Sequence, residues 1–326
     1  MKYPETPLNP KLLSVMQKMK EIGLGPVDVT TADLSYARAE LEKQYAYLNE
    51  EPFQVSKVQT LTMNFEDESI NIRLYLPDTP YESSTFGIYL HGGGWTFGNE
   101  QTHDGIARAF CKSSQLPVAS IGYTLAPSKK FPFQNRQIAD TLEYLTQVFQ
   151  EQFGLTQDSI KFIFIGDSAG ANLALATYQD YLTDSIRSRM IGMILYYGVY
   201  SGDTNSESWK RIGDGRYGLS AKAMSWYWHQ YLDKIEQIDL HQTSPLLSNE
   251  PSLPPMLLIV GNLDPLLDDT LMFAEKLKRL NIAHQVIVLE GYPHGFLRFC
   301  NQVDSVYDII KESSLAMQQM AKGVFS

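Results

Sequence analysis

The stretch Ile160-Lys161-Phe162-Ile163-Phe164-Ile165-Gly166-Asp167-Ser168-Ala169-Gly170-Ala171-Asn172-Leu173-Ala174-Leu175-Ala176-Thr177 governs how the rest of the chain is read. A β-rich run, Ile160 to Ile165, enters a glycine-bounded turn, and a helix-forming run, Asn172 to Thr177, leaves it. A serine hydroxyl is a poor nucleophile, so such a turn has to lift Ser168 clear of the strand, aim its Oγ outward and leave room for a base. Gly166 and Gly170 supply that room, since a side chain at either position would meet the adjacent strand or helix. The helix that follows turns its N-terminus toward the serine, where its dipole and free N–H groups favour a developing negative charge. G-x-S-x-G also occurs in ordinary tight turns. The strand-then-helix setting makes this one read as a nucleophile elbow.

Outward from the elbow, the pattern alternates strand and helix. Strands are expected at Phe86 to Leu90, Pro117 to Ile121, Lys161 to Ile165, Met190 to Tyr196, Met256 to Val260 and His284 to Leu289. Helices are expected at Asp104 to Ser114, Asn135 to Glu151, Ala171 to Leu182 and Thr270 to Leu280, with a last one from Asp304 to Met320. Upstream, Val55 to Phe65 and Ile70 to Leu76 flank the acidic turn Glu66 to Ser69, which predicts an antiparallel hairpin at a sheet edge. The fold class is therefore α/β: a mostly parallel sheet of about eight strands, with helices on both faces. Two segments stand outside that rhythm. Leu12, Leu13, Met16, Met19 and Ile22, then Leu34, Ala37, Leu41, Tyr45 and Leu48, recur at helical spacing before any strand. About fifty residues between Tyr200 and Pro251, including the aromatic stretch Met224 to Tyr231, lack a strand pattern and exceed a normal connection. The expected organisation is a helical cap segment at 1–50 and a catalytic domain at 51–326, with a cap insertion at about 201–250.

A second motif, His91-Gly92-Gly93-Gly94-Trp95, follows the strand ending at Leu90. Three glycines let backbone N–H groups approach a ligand without Cβ interference, as acyl transfer requires when charge collects on the former carbonyl oxygen. No Lys-Ser or Lys-Thr follows them, which argues against a phosphate-cradling loop. A serine also needs a base. Of the six histidines, His91 and His103 precede the elbow, His229 and His241 fall in the insertion, and His284 starts a strand. His294, in Gly-Tyr-Pro-His-Gly-Phe, sits in a loop at a strand's C-terminal end, where the functional groups of parallel sheets collect, and it is the expected base. The acid should come from the loop after the preceding strand, which offers Asp264, Asp268 and Asp269. Asp264 lies nearest the strand end and is kept extended by Pro265, so it is the first choice, with Asp268 the fallback. Asp268 and Asp269 are otherwise expected to cap the next helix.

With His-Gly-Gly-Gly-Trp, Gly-Asp-Ser-Ala-Gly, Asp-Pro-Leu and a late His-Gly-Phe in place, the chain resembles the hormone-sensitive-lipase, or G-D-X-G, family of α/β-hydrolases, and within it the bacterial acetyl esterases. Tyr123-Thr124-Leu125-Ala126-Pro127 and Tyr196-Tyr197-Gly198 add to the likeness, which runs from about Tyr75 to Phe299. The resemblance implies Ser168 as nucleophile, His294 as general base and acid, Asp264 as its orienting partner, and the N–H groups of Gly92, Gly93 and Ala169 as oxyanion donors. It implies hydrolysis of acetyl or other short acyl esters through an acyl-enzyme, with no metal or cofactor. Where the family usually carries Asp-Tyr-Arg-Leu-Ala-Pro-Glu, this chain has Gly122 and Ser128 in place of the two carboxylates. Trp95, Phe97, Tyr196, Tyr197 and Tyr200 are candidates to crowd the acyl side, or equally to be core. Two rival readings are hydrolysis of an aryl formamide or another amide on the same triad, and a ligand- or protein-binding role for the scaffold.

Composition agrees with an enzyme acting on small molecules. The chain has 326 residues, 44% apolar content, and 27 basic against 37 acidic side chains for a net charge of -10, with a pI near 5.1. Nucleic acid and anionic membrane would both repel such a surface, so neither is an expected partner. The sequence leaves open a homo-oligomer or a regulatory partner protein. Cys111 and Cys300 are too few for a disulfide framework and have no metal-ligand spacing. Met1 to Leu24 lacks a signal-peptide core, and the longest apolar run, Met190 to Tyr200, is far short of a membrane span. A soluble, cytoplasmic protein is expected.

Overall fold

Neighbouring side chains of a strand point to opposite faces, so a strand apolar at every position has to be covered on both sides. Such strands fill the middle of this chain. The computed structural model describes residues 4–78 and 84–325. Its strands are β1 Lys57–Phe65, β2 Glu68–Leu76, β3 Thr85–Leu90, β4 Val118–Ile121, β5 Lys161–Asp167, β6 Met190–Tyr196, β7 Met256–Leu263 and β8 His284–Pro293. Its helices are α1 Pro10–Glu21, α2 Leu34–Leu48, α3 Asp104–Ser114, α4 Phe133–Phe153, α5 Ala169–Asp180, α6 Asp184–Arg187, α7 Glu207–Ile212, α8 Ala221–Tyr231, α9 Leu267–Arg279 and α10 Asp304–Ala321. One sheet holds all eight strands in the order β1-β2-β4-β3-β5-β6-β7-β8. β2 is antiparallel to both neighbours, and every other adjacent pair is parallel.

Strand alternation feeds two apolar layers. In β5, Phe162 and Phe164 face a layer shared with Leu142, Leu145 and Phe149 of α4 and Leu173 of α5. Ile163 and Ile165 face the other, shared with Phe110 of α3 and Ile310 and Met317 of α10. Phe86 and Phe149 stack with ring centroids 3.6 Å apart and planes at 8°. Full burial of one such ring contributes roughly 1.5–3 kcal/mol.

Differences from the expected boundaries have physical reasons. Helices α4, α5 and α9 start earlier than the apolar spacing suggests, because a first turn has no preceding turn to pack with and so leaves little periodic signal. β7 and β8 outlast their apolar runs: after an irregularity they pair again at Leu263 and Pro293. That late pairing sets the next residues, Asp264 and His294, side by side. Asp268 and Asp269 do not cap α9, whose N-cap is Leu266. Asp268 Oδ2 instead accepts the N–H of Ser208 at 2.8 Å, and Asp269 Oδ2 that of Ser201 at 3.1 Å. Both carboxylates thus tie the segment after β6 to α9, and the amides they take belong to a distant stretch of chain. Gly122 follows β4, and a Cβ there would run into the carboxylate of the buried Glu100. Ser128 is exposed.

Candidate active site

The loops that leave the C-terminal ends of β3, β5, β7 and β8 meet at one place. β5 ends at Asp167, and Ser168 turns sharply with φ 53° and ψ -118°, a region that costs a non-glycine residue on the order of 1–3 kcal/mol. Its own N–H holds the turn by donating to Tyr196 O at 2.9 Å. A Cβ on Gly170 would strike the backbone oxygens of Leu90 and His91, so the elbow and the end of β3 touch directly through a glycine. α5 begins at Ala169.

Ser168 Oγ lies 3.0 Å from His294 Nε2, and His294 Nδ1 lies 2.8 Å from Asp264 Oδ2. Asp264 is fully buried, and its Oδ1 accepts the N–H of Leu266 at 2.9 Å, which fixes the carboxylate's orientation. An ionised carboxylate only accepts, so Nδ1 carries the ring proton and Nε2 is left as an acceptor for the serine hydroxyl. The backbone of His294 is braced from the segment after β6: its N–H donates to Tyr217 O at 3.2 Å. Tyr197 meets the His294 ring edge to face, with centroids 4.9 Å apart. The sequence reading thus brings Ser168, His294 and Asp264 together, and the fallback Asp268 is spent elsewhere, on Ser208.

The glycine loop departs from expectation. Gly92 was expected to offer its N–H to an oxyanion, but that N–H donates to Asp167 Oδ1 at 2.8 Å and is not free. The half-buried Gly93 and Gly94 adopt φ 111° and 57°, and among the described residues neither N–H has an acceptor in the protein. The Ala169 N–H, in the first turn of α5, is free in the same way. Among these loop residues, the N–H groups of Gly93, Gly94 and Ala169 are therefore the unengaged ones. Asp167 is buried, and its carboxylate also accepts from Tyr89 OH at 2.6 Å and from Tyr197 OH at 3.4 Å. Burial pushes its pKa above the usual carboxylate range, against the opposing pull of the bonds from Tyr89 and Gly92. The sequence showed Asp167 as a letter of the motif without a task.

All five aromatic candidates are buried. Trp95 stacks on Tyr231 at 4.5 Å, Tyr196 OH pairs with Ser313 Oγ at 2.6 Å on the α10 face, and Tyr200 stacks on Phe273 at 4.6 Å. Tyr197 and Phe97 remain near the site, the latter facing Trp226 of α8 at 5.9 Å. The wall that sequence reasoning did not single out is Tyr227, packed so closely on Gly94 that a Cβ there has no room. A cavity of about 200 Å³ lies between α2 and the loop after β3, lined among others by Arg38, Leu41, Tyr45, Phe97 and Tyr123. Ser168, Asp264 and His294 are not part of its lining.

Among the described residues no group of three or more His, Cys, Asp or Glu is placed to hold a metal ion, and no helix is long and apolar enough to cross a membrane. Cys111 and Cys300 are free and buried, and burial pushes both thiols up to about 12.

A strand-ending serine elbow, a late histidine and an intervening aspartate on a sheet of this order define a hydrolase of the doubly covered parallel type. Residues 87–298 match the alpha/beta hydrolase fold family, and the chain belongs to it. It is 27% identical over 322 residues to an ethyl acetate hydrolase of Pseudomonas putida, a match covering 96% of this chain and 99% of that one. A hyperthermophilic esterase from the archaeon Pyrobaculum calidifontis superposes with a TM-score of 0.84 at 26% identity, covering 97% of this chain and 99% of that one. A thermophilic, thermostable carboxylesterase cloned from a metagenomic library gives 0.81 at 27% identity, covering 89% and 98%.

Proposed function

We propose that Ser168, His294 and Asp264 hydrolyse short-chain acyl esters, acetyl-type esters foremost, through an acyl-enzyme. The protein is a carboxylic ester hydrolase, as its family and its esterase relatives support. The observation that carries the residue assignment is the unbroken line from Ser168 Oγ through His294 to Asp264, beside the unengaged N–H groups of Gly93, Gly94 and Ala169. In this reading His294 Nε2 takes the Ser168 proton as Oγ attacks the ester carbonyl. The three N–H groups stabilise the oxyanion, and one such donor is worth about 10²–10³ in turnover. His294 then gives its proton to the departing alcohol, and a water activated by the same nitrogen releases the acid. Asp264 holds the tautomer that makes both transfers possible.

The acyl-length limit follows from a roof. Arg38 of α2 donates to Thr96 O at 3.1 Å and Ala126 O at 2.9 Å, while Tyr227 of α8 covers Gly94. Ser168 is 8% exposed, and in this reading the segment carrying α2 and the insertion carrying α8 roof a site that suits a small acyl group. The test is Ser168→Ala, which should abolish turnover and labelling by an organophosphonate, assayed with p-nitrophenyl esters from C2 to C12 and aryl formamides. A variant keeping a tenth of wild-type activity would point to another nucleophile. Faster turnover of the formamide than of the acetate would move the assignment from ester to amide.

A further inference from the structure

Resting on that reading, we propose that Asp167 is a positioning residue for the reaction: its carboxylate grips the Gly92 N–H and so turns the next two N–H groups toward the oxyanion. Three observations meet there. Gly92 N–H and Tyr89 OH converge on the same oxygen, Asp167 Oδ1, at 2.8 and 2.6 Å. A Cβ at Gly92 would overlap the Asp167 carboxylate, so the contact is a close fit of backbone to side chain. Tyr197, whose OH reaches Oδ2 at 3.4 Å, is also the ring packed against His294. One carboxylate thus joins the end of β3, the residue before the nucleophile and the wall of the base.

The geometry explains why the grip matters. Of the three consecutive amides Gly92 to Gly94, only the first has an acceptor among the described residues, so it is the one fixed point of the loop's N–H groups. If Gly92 lost that acceptor, its buried amide would seek another partner, and the loop would rotate to supply one. Gly93 and Gly94, adjoining it, would leave the narrow 2.7–3.1 Å range in which a donor stabilises an oxyanion. Substrate binding before attack depends less on those donors, so the loss should fall on kcat. No cation pairs with Asp167 among the described residues. The Asn isostere can therefore present one oxygen to the same two donors and turn its amide toward Tyr197.

The experiment compares Asp167→Ala and Asp167→Asn with Ser168→Ala as reference. Asp167→Ala should lower kcat about 10²-fold, the scale of one lost oxyanion donor, with KM within about twofold. Its affinity for a trifluoromethyl ketone, which adds to the serine and carries the oxyanion, should fall by the same factor. Asp167→Asn should stay within about fivefold of wild type in both, because the accepting oxygen is kept. The proposal is overturned if Asp167→Ala keeps wild-type kcat and ketone affinity, if KM rises as much as kcat falls, or if Asp167→Asn is as impaired as Asp167→Ala. Hydrogen exchange in the wild-type chain, labelled with ¹⁵N-glycine, gives a second test even should Asp167→Ala not fold. The Gly92 amide must exchange far more slowly than those of Gly93 and Gly94, and equal rates would sink the idea. An active Ser168→Ala would overturn the reading beneath it, whereas an inactive Ser168→Ala beside a normal Asp167→Ala would overturn this proposal alone.

Discussion

Acidification should destabilise this protein through two buried rings outside the line from Ser168 to Asp264. His91 and His103 are fully buried and stacked, with centroids 5.1 Å apart. His91 Nδ1 pairs with Gly92 O at 2.8 Å, while its Nε2 has no partner among the described residues. His103 sits between Thr102 Oγ1 at 2.9 Å and Tyr45 OH at 3.2 Å. Burial pushes both pKa values down from 6.5 to about 3, so the rings stay neutral in the fold. The unfolded chain takes up these protons near pH 6.5. Their stability contribution is therefore complete above that pH and is lost progressively as pH falls toward 3. At pH 5 the unfolded pKa lies about 1.5 units above the solution, so each ring costs about 2 kcal/mol and the pair about 4. That is a large part of a typical total of roughly 5–15 kcal/mol. The buried carboxylates Asp167 and Asp269, whose pKa values burial raises, act in the opposite sense. Substituting one ring separates the two effects. Urea unfolding followed by tryptophan fluorescence at pH 7.5, 6 and 5 should show wild type losing about 2 kcal/mol more than His103→Gln between the first and last condition. If the gap between the two proteins changed by less than about 0.5 kcal/mol, near the scatter of such extrapolations, the buried-ring account would be wrong.

Further outcomes follow from the site and its roof. Asp264→Asn should lower turnover by about 10⁴ by favouring the wrong His294 tautomer. Asp268→Asn should stay within about threefold, because an amide oxygen can still accept from Ser208, and a reversal of the two in steady-state kinetics would transfer the acid role. Deleting Met1 to Glu50 should slow acetate ester hydrolysis and broaden the chain-length profile. A truncation with native near-UV circular dichroism and an unchanged acetate-to-octanoate ratio would remove α1 and α2 from the site. Gly170→Ala forces a methyl against Leu90 O and His91 O and should cost about 1–3 kcal/mol, read as a lowered thermal midpoint, and an unchanged midpoint would mean that the elbow has slack.

The sheet and most of its helices were legible because buried parallel strands are apolar throughout and covering helices repeat every three or four residues. Ser168 and His294 were legible for a related reason: each follows the end of a strand, at Asp167 and Pro293. What could not be read was how polar groups are shared between distant segments. Asp268 and Asp269 sit where capping residues belong, yet their partners lie some sixty residues earlier in the chain. Gly92 has the composition of an oxyanion donor, but its N–H is claimed by a side chain about 75 positions later. Trp95 and Tyr200 could not be placed because an aromatic ring beside a motif looks the same whether it lines a pocket or fills the core behind it.

The contact between Gly122 and Glu100 bears on how this chain can change. The family resemblance places a carboxylate at position 122, whereas here a carboxylate enters that space from the loop before α3. Two acids cannot occupy it together: a side chain at 122 would displace Glu100, and mutual repulsion would add to the crowding. The two positions are therefore epistatic, and the order of substitution matters. Gly122→Asp made first should be harmful, while the same change after Glu100→Ala should be tolerated, so a mutational path back to the commoner arrangement has to pass through position 100.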